Sequence, residues 1–168
     1  MKDASGARRV RAALTATACA AAALAAAPTT VGAAVPPTRP GDATDPHILD
    51  GTAQRELDAA KQRWHEAGVR AYRMRVALGC FCPRTVTRPR TLTVRRGRPD
   101  PRTPSHLRRW ATVGRQFARI QEAIDAGAAR LTVRYAGTGR PASISIDYRF
   151  TVADEEMSVA VDRFSRVR

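Results

Sequence analysis

Two cysteines two positions apart, in Gly79-Cys80-Phe81-Cys82-Pro83, are the residues best able to do chemistry. Thiolates bond to each other, exchange with other thiols or ligate soft metals, and geometry and compartment select among these. In an extended strand, residues i and i+2 share a face with Cα atoms roughly 6.6 Å apart. That spacing is near the upper limit for a disulfide, so a Cys80–Cys82 bond requires the backbone to bend, which Gly79 and Pro83 permit. The loop closed is tiny and its entropic stabilisation small. A strained bond is more easily reduced, so a redox-active pair is the alternative reading. Metal ligation or an intermolecular bridge is the third. Two thiolates with no histidine nearby leave a zinc shell incomplete. The expectation is a local structural disulfide.

The second group able to do chemistry is basic. Nine arginines fall between residues 84 and 109, with Asp100 as the one acid among them. Arginine pairs bidentately with phosphate and carboxylate and does not deprotonate. The candidate anion-binding residues are Arg84, Arg88, Arg90, Arg95, Arg96 and Arg98. A cluster of this sign attracts polyanions at low salt, such as anionic lipid headgroups or phosphate-rich envelope polymers. No nucleic-acid recognition module is visible, so specific nucleic-acid binding is not expected. The competing reading is a solvated arginine-rich hairpin without a ligand.

A third group is acidic: Asp147, Asp154, Glu155 and Glu156 supply oxygen atoms of the kind a divalent cation takes. Their spacing does not fit an EF-hand loop, and pairing with surplus arginines is the expected role. No metal or other cofactor is therefore expected. His47, His65 and His106 are scattered without ligand spacing. Glycine-rich phosphate loops, nucleophile elbows and paired-histidine zinc helices are all missing from the sequence.

The segments around these groups say where they act. The chain has 168 residues, and 29 Lys and Arg against 15 Asp and Glu give a formal charge of +14. Residues 1–34 read as a secretory signal: Arg8, Arg9 and Arg11 precede the apolar run Ala12 to Ala27, and Val31-Gly32-Ala33 fits a small-x-small cleavage site. The run is alanine-rich and interrupted by threonine, a poor membrane span. Lipoprotein anchoring at Cys19 is disfavoured because apolar sequence continues past it. A twin-arginine route is disfavoured by Arg11. Removing residues 1–34 leaves 25 basic against 14 acidic residues, of which Lys61 is the sole lysine. Residues 35–51, with Pro36, Pro37, Pro40 and Pro46, read as a mobile proline-rich linker. Residues 52–168 remain as a single domain.

Within that domain the periodicity predicts a helix over 52–67, capped by Thr52 and stopped by Gly68, with Trp64 anchoring it to a sheet. Alternation predicts strands at 72–78, 91–95, 131–135, 142–148 and 157–161. If the first strand runs on, Cys80 and Cys82 join its apolar face. A second helix spans about 113–126, with Thr112 as cap and Gly127 as stop. Pro99, Pro101 and Pro104 argue against a central strand over 98–108. This order predicts an α+β fold, an antiparallel sheet of about five strands with two helices packed on one face. A faint echo between the Gly68 and Gly127 helix-to-strand transitions hints at an internal repeat.

The combination of Trp64, Tyr72-Arg73, Cys80-Phe81-Cys82-Pro83, Phe117 to Ile124, Ser143 to Tyr148 and Ala153 to Glu156 resembles an uncharacterised family of secreted proteins and lipoproteins. That family is found largely in high-GC Gram-positive bacteria and carries a domain of unknown function. The resemblance covers about residues 52–164, and its most specific pieces are Cys-x-Cys-Pro and Ile-Asp-Tyr. Two positions depart from the pattern: the segment after Arg96-Gly97 is proline-rich, and Arg149 stands where an acid is expected. The resemblance implies no activity. The functional expectation is an exported, non-catalytic binding domain at the cell envelope. The rivals are a thiol-disulfide protein using Cys80 and Cys82 and an inhibitor-like module for another exported protein.

Overall fold

Alternating apolar residues set the sheet. Tyr72, Met74, Val76 and Leu78 are buried, as are Leu92, Val94, Ile144, Ile146, Val159 and Val161, while their sequence neighbours face outward. Burying one face at period two needs a covering layer, and two amphipathic helices supply it. The computed structural model describes residues 43–149 and 156–167. The elements in order are α1 (Pro46–Leu49), α2 (Thr52–Glu66), β1 (Tyr72–Gly79), α3 (Arg84–Thr87), β2 (Arg90–Arg95), β3 (Arg98–Pro99), a 3-10 helix (Ser105–Trp110), α4 (Val113–Asp125), β4 (Arg130–Tyr135), β5 (Pro141–Asp147) and β6 (Met157–Arg166). The signal segment, Cys19, residues 35–42, Asp154 and Glu155 lie outside the described residues.

The fold is α+β, with a six-stranded sheet in the order β3-β2-β1-β6-β5-β4 and every pairing antiparallel. The sixth strand, beyond the five expected, is the two-residue β3 at the edge. Pro99 is tolerated there because an edge strand has no further ladder bond to make. β1 and β4, which follow the two long helices, stand third and sixth in the order and run in opposite directions. The faint sequence echo therefore does not organise the sheet.

Leu57 and Ala60 of α2 and Phe117, Ile120 and Ala123 of α4 press on the buried sheet face. Trp64 is half-buried and meets Tyr72 and Phe164 edge-on, with ring centroids 5.6 and 6.0 Å away. Burial raises the Tyr72 phenol above its ordinary pKa, and its hydroxyl accepts the Val113 amide at 2.9 Å. No helix among the described residues is long and apolar enough to cross a membrane.

Caps and termini show where local chemistry was read correctly and where it was not. Thr112 caps α4 by accepting from the Arg115 amide at 3.1 Å, and Gly68 and Gly127 take positive φ after α2 and α4. Thr52, in contrast, is the first helical residue of α2 and not its cap. Gly51 holds the cap position at φ 75°, and the Asp50 carboxylate accepts the Thr52 amide at 2.7 Å. Hydrogen bonds from Thr52, its side chain first and its amide second, hold Asp50 below the usual carboxylate pKa.

The ordered domain also begins before residue 52. Asp45 is buried within the stretch expected to be linker, and caps α1 by accepting the His47 amide. Its other carboxylate oxygen accepts the buried Leu131 amide at 2.8 Å, and its own amide donates to the Ala128 carbonyl at 2.9 Å. These bonds stitch the segment to the start of β4. Asp45→Ala would leave the Leu131 amide buried without a partner, a loss of about 2 kcal/mol. Urea unfolding of the variant measures it, and an unchanged midpoint would show that the stitch contributes nothing.

Candidate functional site

β1, β2 and β3 carry arginine on the face that the helices leave open. Arg73 stands opposite Thr93, and Arg95 opposite Arg98, so all four residues share that face, on the other side of the sheet from the apolar rows of β1 and β2. Arg96 and Gly97 form the two-residue hairpin turn with φ 51° and 74°, the doubly positive geometry of a primed turn. The chain then leaves β3 through Pro99-Asp100-Pro101. The Asp100 amide bonds back to the Thr93 carbonyl at 2.9 Å, and the Asp100 carboxylate accepts the Arg102 amide at 2.8 Å.

These residues enclose a concavity of about 590 Å³ lined by Arg73, Thr93, Arg95, Arg98 and the Pro99–Pro101 bend. It does not end there. The same bend walls a second hollow of about 480 Å³ with Thr103, Arg108 and Arg115. Arg108 and Arg115 in turn wall a third, of about 300 Å³, with Arg109 and Arg119. Shared walls join the three hollows into one band carrying seven arginines against Asp100 and Glu122.

The acids do little to neutralise it. Asp100 is engaged by a backbone amide, and Glu122 pairs with Arg119 on the next turn of α4. The Arg119 guanidinium also lies over the Trp110 ring, 5.7 Å from its centroid. An Arg115 Nη1–H donates to the Arg108 carbonyl at 2.6 Å, fixing one side chain along the floor. Arg73, Arg95, Arg98 and Arg109 make no side-chain hydrogen bond or ion pair among the described residues. Their donors are available to an anion, and bidentate arginine–phosphate or arginine–carboxylate pairing is the chemistry they offer.

The six arginines expected to act together are divided by the fold. Arg95, Arg96 and Arg98 lie at the β2–β3 turn, and Arg95 and Arg98 line the band. Arg84, Arg88 and Arg90 lie at the opposite end of β2, at and after the α3 turn. A six-residue strand separates the two sets by about 17 Å. Conversely, Arg73, Arg115 and Arg119 join the band from β1 and α4, outside the basic segment in sequence. Arg73 was legible only as the outward member of an alternating strand.

The cysteines sit at that opposite end. β1 runs one residue past the expected end at Leu78, to Gly79, and does not continue through the pair. The Cys82 amide donates to the Cys80 carbonyl at 2.7 Å, a γ-turn that draws the two Cα atoms to 5.2 Å, inside disulfide range, with the sulfurs in bonding contact. Of the acidic candidates, Asp147 accepts the Arg149 amide at 3.0 Å and Glu156 is exposed. Among the described residues no group of three or more His, Cys, Asp or Glu is placed to hold a metal ion.

Fold and surface together define a small α+β domain with one helix-covered sheet face and an arginine-lined band along the uncovered edge. The chain belongs to a family of unknown function, DUF6174, whose model matches residues 56–166. No curated protein and no solved structure matches it.

Proposed function

We propose that this domain is an exported binding module without a catalytic step, and that its arginine band takes phosphate-rich anionic polymers of the cell envelope. The observation that carries the reading is the continuity of three hollows sharing arginine walls, with four guanidinium groups left without partners among the described residues. A single phosphate would need one hollow. A chain of phosphates engages several in succession, and each contact releases counterions. The signal-like residues 1–34 support action outside the cytoplasm, and the alanine-rich, interrupted run supports cleavage near Ala34 over a retained anchor.

Inorganic polyphosphate is a defined linear probe. Its affinity is expected to fall steeply as salt rises, with a log–log slope that flattens by about 2 when Arg73, Arg95 and Arg98 are all changed to Glu, given roughly 0.7 per phosphate contact on a flexible chain. Pyrophosphate should bind far more weakly. Salt-independent binding, or a slope unaltered in the triple variant, would remove the proposal. Mass spectrometry of secreted protein tests the export half: an intact residue 1 in the cytoplasm or a lipid on Cys19 would overturn it.

For the cysteines we favour a structural bond. Cys80 is half-buried against the end of β1, and the turn closes on its own hydrogen bond, which supports a bond that stays closed. Cys82 is exposed, so exchange with an external thiol remains the second reading. A reduction potential below about −300 mV fits the structural role, and a value near about −200 mV fits exchange.

A further inference from the structure

Phe81 is the apex of the Cys80–Cys82 turn and is 93% exposed. An aromatic ring fully in water is unfavourable, and nothing among the described residues covers this one. The turn that carries the ring is nevertheless anchored at both ends. Gly79 ends β1 beside Ser158, and Pro83 opens α3, whose Val86 amide bonds to the Pro83 carbonyl at 2.9 Å while its side chain packs on the core. Arg84, Arg88 and Arg90 follow the tip within nine residues, all exposed and without side-chain hydrogen bonds or ion pairs among the described residues. Between Gly79 and Pro99 there is no acid.

From this arrangement we infer that the Phe81 tip is an interfacial anchor for an anionic lipid bilayer. An aromatic side chain partitions to the level of the headgroups, and arginines beside it reach lipid phosphates while their stems lie along apolar surface. A protein partner fits the tip less well. Protein interfaces bury about 800 Å² per side around a core depleted of charge. This tip offers one ring followed in sequence by three exposed arginines, with Glu156 two residues before Ser158, the cross-strand partner of Gly79. The disulfide-closed turn fixes the backbone at Phe81 before contact, so little backbone freedom is lost on insertion. The inference is independent of the arginine band, which lies at the other end of β2.

The test is co-sedimentation of the protein with phosphatidylglycerol/phosphatidylcholine vesicles. Binding to the mixed vesicles and not to pure phosphatidylcholine is expected. Phe81→Ser should lower the partition coefficient about tenfold, in line with loss of a largely buried aromatic ring. Changing Arg84 and Arg88 together to Ser should lower it a further tenfold or more. Phe81→Trp should retain binding. Against the wild-type background of Trp64 and Trp110, its added emission should shift blue and be quenched by brominated lipid. The Arg73, Arg95 and Arg98 charge-reversed variant should keep that quenching, separating the tip from the band. Absent vesicle binding overturns the inference, as does a Phe81→Ser protein that binds undiminished or a tryptophan at position 81 that lipid does not quench.

Discussion

Gly139→Ala is expected to destabilise the domain by about 3 kcal/mol or more, the range reserved for substitutions that combine backbone strain with a clash the structure cannot relieve. Gly139 closes the β4–β5 turn, where its amide donates to the Ala136 carbonyl at 2.8 Å and the Ala136 amide donates to the Arg140 carbonyl at 2.9 Å. Its φ is 84°, a conformation L side chains avoid. It also lies directly on α2. A Cβ would overlap the Ala60 carbonyl oxygen and approach the Trp64 amide nitrogen at 2.9 Å and the Arg63 Cβ at 3.0 Å. Two of these are helix backbone, and Ala60 is fully buried, so neither yields cheaply. Gly137, two residues earlier in the same turn, is the control. A Cβ there meets nothing within 4 Å and its φ is not positive, so Gly137→Ala should cost under about 1 kcal/mol. Thermal unfolding should separate the pair by about 10 °C. Equal midpoints would show that the turn does not bear on α2.

The turn itself was readable from Gly137-Thr138-Gly139; its pressure on a helix about 75 residues earlier was not, because a close approach is a property of two segments. The same division runs through the molecule. Period two in β1 and β5 and period 3.6 in α4 came through because one face of each is buried, and burial writes itself into sequence. Asp45 was missed for a different reason. Thr44-Asp45-Pro46 is a helix-start signature, an acceptor before a proline at the first helical position, but four prolines nearby gave the stretch the composition of a linker. The cap chemistry outweighed the composition. The short 3-10 helix at Ser105–Trp110 was hidden by Pro101 and Pro104, which exclude a central strand and say nothing against a helical turn that starts after them.

The candidate site was legible as a charge and not as a shape. Nine arginines in one segment announce attraction to anions, but strand β2 sends half of the candidates to each of its ends. Contacts across the sheet and from α4 then recruit Arg73, Arg115 and Arg119, whose membership no local pattern signals. Each end consequently acquires a different character: a polar, elongated band at the β2–β3 turn, and a single exposed ring, followed by three arginines in sequence, at the cysteine turn.

Trp110→Ala is expected to cost about 3–5 kcal/mol, the penalty for emptying a large aromatic site in a packed core. Trp110 is 2% exposed and ends the 3-10 helix, and its carbonyl accepts the Gln116 side-chain amide at 2.9 Å. Gln116 is fully buried, so movement of that carbonyl would leave its amide only the weak Met74 sulfur acceptor at 3.7 Å. The ring also supports the band from beneath, because Arg119 lies across its face. A cation over an indole contributes about 0.5–1 kcal/mol at an exposed site. Trp110→Ala should therefore also weaken polyphosphate binding, measured at a temperature where the variant is still folded. Trp110→Phe retains an aromatic face and most of the volume, so it should recover much of both properties. A pair of variants that differ in stability but bind polyphosphate equally would show that Trp110 serves the core alone. If Trp110→Ala unfolds with a wild-type midpoint, the 3-10 helix is not part of the cooperative core, and the end of the band built on Arg108, Arg109 and Arg119 loses its rigid floor.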